Sequence, residues 1–80
     1  MKIKVKIKSN INKIVINTDF IKLDSFLKYA NAVSSGGIAK IIIANGEVKV
    51  NNKVCTARGK KLFEGDIISF NGELYKIVKE

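Results

Sequence analysis

Residues 2–8 alternate strictly between lysine and aliphatic side chains. Such a pattern predicts a strand with one apolar face and one face of lysines. The segment SNIN at residues 9–12 favours a turn, and the β-like run KIVIN follows at residues 13–17. We therefore predict an N-terminal β-hairpin. The lysine row consists of Lys2, Lys4, Lys6 and Lys8.

The hydrophobic period changes from 2 to 3.6 at Leu23. The apolar stripe consists of Leu23, Phe26, Leu27 and Ala30. It predicts a helix that ends between Tyr29 and Asn31, with Asp24 in its first turn complementing the helix dipole.

A second helix is predicted to begin after Ser34 or Ser35, either of which can cap it, and to reach Ala44. The residues Asn45 and Gly46 then give a helix-termination signal. The isoleucines of this segment leave little polar surface, so we expect the helix to pack on two sides. The β-branched side chains would suit a strand equally well on periodicity alone.

After Gly46 the pattern returns to a period of two. The segment EVKVNNKV predicts two strands joined at Asn51 and Asn52, and a basic loop, TARGKKL, follows at residues 56–62. A tight turn at residues 64–66 then leads to the strand IISF, with a hairpin turn at Asn71-Gly72. The predicted fold class is α+β, with an N-terminal β-hairpin, two adjacent helices and a small antiparallel sheet.

The charge balance points to a polyanionic partner. The chain has 80 residues, enough for one domain, and its 15 basic against 7 acidic residues give a net charge of +8 and a pI near 9.8. Nucleic acid and anionic membrane surfaces are the usual ligands of such proteins. A soluble protein with many solvated lysines is the alternative.

The composition excludes several kinds of catalysis. There is no histidine, and Cys55 is the single cysteine, so histidine-activated nucleophiles, histidine metal sites and an intrachain disulfide are absent. We expect no enzyme, no catalytic residues, no cofactor and no metal. The longest apolar run, residues 41–44, is too short to span a bilayer, and we expect a cytoplasmic protein.

The ordered segments LDSFL, a Ser-capped helix containing AK, VKVNNK and GDIISF resemble the αL motif of the S4-like RNA-binding domain. The resemblance covers about residues 21–70. Within this superfamily, FLKYANAVSSGGIAK and ARGKKLFEGDII are most similar to the short bacterial proteins of the YaaA/YbcJ type. The resemblance implies a single S4-like domain over residues 1–80, with a β extension at 1–20 and a C-terminal strand at 73–79.

The resemblance also implies that the second helix, the first β-turn and the following loop bind structured RNA. Ser35 matches the capping serine, and Lys40 matches the second basic position of the second helix. Gly46, Val48, Val50 and Asn51 match the frame of strand and turn, and Gly65-Asp66 match the tight turn. Many relatives have an arginine at the position of Gly36, and its absence here weakens one expected phosphate contact.

Gly36 and Gly37 have two interpretations. A helix N-terminus is a natural anion site, and glycines there let an RNA backbone approach, with Lys40 one turn on supplying charge. The other interpretation is tight packing of the second helix against the first. The resemblance favours RNA, although Lys40 can also be an ordinary solvated lysine.

The basic loop supplies further candidate RNA-binding residues. Arg58, Lys60 and Lys61 surround Gly59, which suits a mobile phosphate clamp, and Lys53 extends the same patch. The alternative is again a solvated loop.

The aromatic residues favour recognition of RNA shape. Phe26, Phe63 and Phe70 fall on apolar positions and are expected in the core, which leaves Tyr29 and Tyr75 as the rings that could be exposed. No exposed aromatic pair is expected that could stack single-stranded bases, so structured or double-stranded RNA is predicted.

The leading hypothesis is a monomeric, non-enzymatic protein that binds ribosomal RNA or an assembling ribosomal subunit and no membrane. Two alternatives stay open at this point. One is an adaptor that contacts an acidic protein through the second helix. The other is peripheral attachment to anionic lipid through the N-terminal lysine row.

Overall fold

The computed structural model describes residues 11–80. Its two helices are α1 (Leu23–Tyr29) and α2 (Gly36–Ala44). The strands are β1 (Ile11–Ile16), β2 (Ile21–Lys22), β3 (Val48–Val50), β4 (Lys53–Val54), β5 (Lys61–Leu62), β6 (Ile67–Phe70) and β7 (Glu73–Lys79). Two adjacent helices followed by a sheet confirm the predicted α+β class. The first strand of the predicted N-terminal hairpin, with its lysine row, lies outside the described residues.

The main sheet is mixed and has the strand order β1-β7-β6-β3-β4. Strands β3, β4, β6 and β7 pair antiparallel, as predicted, but β1 pairs parallel with β7, so that Ile11 lies opposite Leu74. The two strands of a parallel pair are joined by a long crossover connection, which here comprises residues 17–72. A second, two-stranded sheet joins β2 and β5, neither of which the sequence pattern indicated.

The predicted helix ends are confirmed. Ser35, rather than Ser34, caps α2: its hydroxyl oxygen accepts a hydrogen bond from the Ile38 N–H at 3.2 Å. The helix ends at Ala44 with Asn45 as its C-cap, and Gly46 follows with φ +78°, a left-handed conformation that favours glycine. Helix α1 ends at Tyr29.

One core lies between the helices and the main sheet. Its fully buried members include Leu23, Phe26, Leu27, Ala39, Ile43, Val48, Leu62, Ile68 and Ile77. Contrary to expectation, Tyr75 belongs to it: its ring is 8% exposed and meets Phe26 edge to face at 6.1 Å. Burial raises the pKa of the Tyr75 hydroxyl above its usual value, and the nearby Glu73 adds to the effect.

Helix α2 packs on one side only, which corrects the prediction of two buried sides. Ala39, Ile42 and Ile43 are buried, whereas Ile38 is 42% and Ile41 60% exposed. Helix α1 contacts α2, and no described element covers Ile38 and Ile41 on the open side of the helix. Within residues 11–80 no helix is long and apolar enough to cross a membrane.

The predicted hairpin turns at Asn51-Asn52 and Asn71-Gly72 are observed, whereas Ile11 and Asn12, which were predicted to lie in a turn, belong to strand β1. Asn51, Asn52 and Asn71 all have positive φ, as does Gly72, which is the geometry of tight hairpin turns between twisted strands. The turn at Asn51 and Asn52 joins β3 to β4, and it matters for the site described next.

Candidate functional site

The basic loop between β4 and β5 is attached to the start of α1. The backbone N–H of Asp24 donates to the carbonyl of Arg58 at 3.1 Å, and that of Leu23 donates to the carbonyl of Lys60 at 2.9 Å. These bonds satisfy N–H groups that a helix start otherwise leaves unpaired. The predicted mobile clamp is therefore wrong in one respect: two backbone hydrogen bonds fix the loop, and Lys61 already belongs to β5.

A groove of about 460 Å³ lies between the β3–β4 turn and the basic loop. Its walls combine apolar, amide and basic groups. The lining residues are Val50, Asn51, Lys53, Val54, Cys55, Thr56, Ala57 and Lys60. The structure thus brings Lys53 and Lys60 to one concave surface, although seven positions separate them in sequence, and the exposed Arg58 lies on the adjoining turn.

A hydrogen-bonded clasp fixes the turn that forms one wall of this groove. The side-chain amide of Asn51 donates to the Asp66 carboxylate at 3.1 Å, and its oxygen accepts from the Ile67 N–H at 2.9 Å. Asp66 in turn accepts from the Phe63 N–H at 2.8 Å. Asn51 and Asp66 therefore join the β3–β4 turn to the tight turn before β6, which gives both a structural role.

Gly36 and Gly37 form the exposed first turn of α2. A Cβ atom built on Gly36 would meet nothing within 4 Å, and one on Gly37 would meet only the Ser35 hydroxyl, at 3.8 Å. No side chain of α1 approaches either glycine, so the packing interpretation of the pair is wrong. Lys40 is exposed one turn further along.

The predicted site residues fall in two clusters. Lys53, Arg58, Lys60 and Lys61 surround the groove or adjoin it, whereas Ser35, Gly36, Gly37 and Lys40 belong to the open face of α2, and no α2 residue lines the groove. The structure assigns positions to both clusters; a ligand role for each stays a prediction.

The cations of both clusters have no carboxylate partner in the described part of the chain. The one ion pair that residues 11–80 form joins Lys79 to Asp19, at 3.5 Å on the surface. The positive charge of Lys40, Lys53, Arg58 and the loop lysines is therefore not neutralised by these residues. The same residues contain no group of three acidic, histidine or cysteine side chains that could hold a metal ion.

Sequence reasoning missed an exposed aromatic pair. Phe63 was expected in the core but is 49% exposed, and its ring lies 6.1 Å from that of Phe20, which is 37% exposed. Phe70, by contrast, packs partly buried against the core, as predicted. No periodic pattern in the sequence could have shown this exposure, because β2 and β5 pair over only two residues.

Comparison with known proteins agrees with this architecture. The family model of the S4 domain matches residues 14–78. Over 61 residues the chain is 43% identical to "Probable ribosome maturation protein RlbA" of Bacillus subtilis (strain 168), a match that covers 76% of this chain and 86% of RlbA. Over 58 residues it is 38% identical to "Putative RNA-binding protein YbcJ" of Escherichia coli (strain K12), covering 72% and 83% of the two chains.

A solved structure extends the similarity to the fold. The solution structure of YbcJ from E. coli, described as revealing an αL motif involved in RNA binding, superposes with a TM-score of 0.69 at 31% identity, over 96% of this chain and 99% of that one. The resemblance to the YaaA/YbcJ type is confirmed. The chain belongs to the S4 domain family and carries its αL motif.

Proposed function

We propose that this S4-domain chain is a non-enzymatic RNA-binding protein that recognises structured RNA, either ribosomal RNA or an assembling ribosomal subunit. It acts in the cytoplasm as a monomer. One observation carries the proposal: Lys53 and Lys60 converge on an open groove beside Arg58, and no described carboxylate neutralises them.

The shape of this surface suits a folded RNA. Its cations lie on a turn and a loop whose backbone is held by hydrogen bonds, so little backbone ordering accompanies binding. Lysines and arginines contact phosphates and position an RNA without reading its sequence. The open start of α2 offers backbone N–H groups to a further phosphate, with no side chain in the way.

The similarity to RlbA and YbcJ supports the choice of ligand. The name of RlbA concerns ribosome maturation and that of YbcJ concerns RNA binding. Both relatives align over most of their own length, so the comparison concerns nearly whole proteins. A ribosomal RNA target for this chain is therefore the hypothesis to test first.

The test is a titration of a folded ribosomal RNA fragment at several salt concentrations. A variant with Arg58, Lys60 and Lys61 changed to Ala is compared with the unaltered protein. If three phosphate contacts are lost, the slope of log affinity against log salt should fall by about two to three units. A matched control changes Lys13, Lys28 and Lys79 to Ala, three exposed lysines on β1, α1 and β7, none of which lines the groove.

The control variant should keep most of the affinity and salt slope, because strand β1 lies at the opposite edge of the sheet from β4. Equal losses in both triple variants would show attraction by net charge alone and contradict a groove-centred site. No binding by the unaltered protein, even at low salt, would contradict RNA binding itself.

The exposed apolar face of α2 favours a second candidate, the protein adaptor. Ile38 and Ile41 lie uncovered beside Lys40, a combination that can contact a protein with an acidic surface. Changing Ile41 to Ser separates the two candidates. RNA affinity should stay within about twofold if the helix face serves a protein, whereas a larger loss would show that RNA contacts this face.

A further inference from the structure

The outer face of the β2–β5 sheet carries two aromatic rings and two lysines. In the register of this pair, Ile21 lies opposite Leu62 and Lys22 opposite Lys61. Extending the register by one position places Phe20 opposite Phe63, and their rings meet at 6.1 Å with a tilt of 51°. Because Leu62 is fully buried and strand side chains alternate, the rings and lysines share the outward face.

Both residues are partly exposed although an apolar core is close by. Phe63 is 49% and Phe20 37% exposed. The ammonium of Lys61 lies 4.8 Å from the centre of the Phe20 ring, a cation–π contact that keeps the charge beside the ring pair. One face of Phe20 is therefore occupied, and the exposed ring of Phe63 is the free surface.

We propose that Phe63 and Phe20 form a stacking site for one unpaired RNA base, with Lys61 and Lys22 contacting the phosphates of the same nucleotide strand. This inference rests on the proposed RNA-binding function and adds to it a specific feature of the RNA. A flat base stacks on Phe63, Phe20 contacts its edge, and the adjacent ammonium groups face the backbone. The site lies next to the groove, because Lys60 lines the groove and Lys61 lies on the outer face.

The surrounding charges favour RNA over a protein surface. Two lysines directly opposite each other on paired strands repel one another, which a nearby polyanion relieves. The acidic neighbours are Glu64, Asp19, which pairs with Lys79, and Asp66, whose carboxylate accepts hydrogen bonds from Asn51 and the Phe63 N–H. Two phenyl rings are also a small patch beside the roughly 800 Å² that each partner contributes to a stable protein interface.

The test compares two RNA probes that differ by one nucleotide: a fully paired duplex, and the same duplex with a single unpaired 5-iodouridine. The protein should bind the second probe at least about fivefold more tightly, the lower end of what base–aromatic stacking contributes. Irradiation should crosslink the iodouridine to Phe63 or Phe20, which mass spectrometry of the digested protein identifies.

Two variants at one position provide the matched comparison. Phe63→Leu keeps an apolar side chain but removes the aromatic face, so the preference and the crosslink to position 63 should disappear while affinity for the paired duplex is unchanged. Phe63→Tyr keeps the ring and should behave as the unaltered protein. Circular dichroism confirms that each variant is folded.

The inference is overturned if Phe63→Leu keeps the preference for the unpaired base, or if the crosslinks map only to other residues. An aromatic patch that serves a protein partner would give equal affinities of the unaltered protein for the two probes, and this result would also overturn the inference. Failure of RNA binding as a whole looks different, since neither probe would then bind the unaltered protein.

Discussion

Replacing Gly37 by Leu tests whether the start of α2 is kept open for RNA. A Cβ atom at this position would meet only the Ser35 hydroxyl, at 3.8 Å, an ordinary van der Waals contact. No neighbouring atom therefore has to move to accommodate the Cβ of the leucine. Because leucine forms helices better than glycine, and position 37 lies in the first turn, we expect about 0.5 kcal/mol of added stability.

For a domain of this size that gain corresponds to a melting temperature about 2–4 °C higher. Affinity for a folded ribosomal RNA fragment should instead fall about tenfold or more, because the side chain blocks hydrogen bonds from backbone N–H groups to a phosphate. The two assays are a thermal melt followed by circular dichroism and an RNA titration at fixed salt.

Ala44→Leu is the matched control. Positions 37 and 44 are seven residues apart and both exposed, so they share one face of α2 at a separation of about 10 Å. This variant should leave RNA affinity nearly unchanged. The reasoning is refuted if Gly37→Leu lowers the melting temperature by 4 °C or more, as overpacking by about 1–3 kcal/mol would do, or if its RNA affinity equals that of the control.

Three further predictions concern charge and the clasp. Lys40→Glu should weaken RNA binding about tenfold without changing the melting temperature, and Lys40→Gln should weaken it less. If both variants bind RNA as tightly as the unaltered protein, Lys40 is excluded from the site. Asn51→Ala should lower the free energy of unfolding by about 1 kcal/mol in a urea titration, because it removes the acceptor for the Ile67 N–H and the donor to Asp66; a loss below 0.3 kcal/mol would contradict the clasp. Changing the four lysines of residues 2–8 to glutamine should reduce RNA affinity modestly and equally for all RNAs, whereas loss of binding to anionic vesicles with RNA binding intact would favour the membrane alternative.

Local signals in the sequence predicted the helices and turns well. Ser35 has a side chain that caps a helix, and Asn45-Gly46 can adopt the backbone that ends one. Asn51 and Asn71 tolerate the positive φ of tight turns. Each of these properties belongs to one residue and its immediate neighbours, so no knowledge of the fold is needed to use it.

Pairings between distant segments could not be predicted in this way. Strand β1 pairs with β7 more than sixty residues away, and no pattern within either strand gives the direction of the pair. The same reason explains why Phe63, which directly follows β5, is exposed whereas Tyr75, which lies in β7, is buried. Burial there depends on register, and a shift by one residue exchanges the two faces.

The candidate site, too, was predictable in its local features but not where distant segments meet. The basic residues around Gly59 were apparent from the sequence, and so was the glycine pair of α2. The groove was not, because it arises where the β3–β4 turn meets a loop that two hydrogen bonds attach to α1. The oligomeric state and the division of the chain near residues 20 and 70 stay predictions.

Crosslinking of the protein to RNA in living cells, followed by sequencing of the bound RNA, tests the central claim most directly. The same measurement on the variant with Arg58, Lys60 and Lys61 changed to Ala provides the comparison. The reads should concentrate in structured segments of ribosomal RNA, and the variant should lose most of them. Recovery of no RNA above background, or of the same RNA in equal amounts from the variant, would contradict binding of ribosomal RNA through the groove.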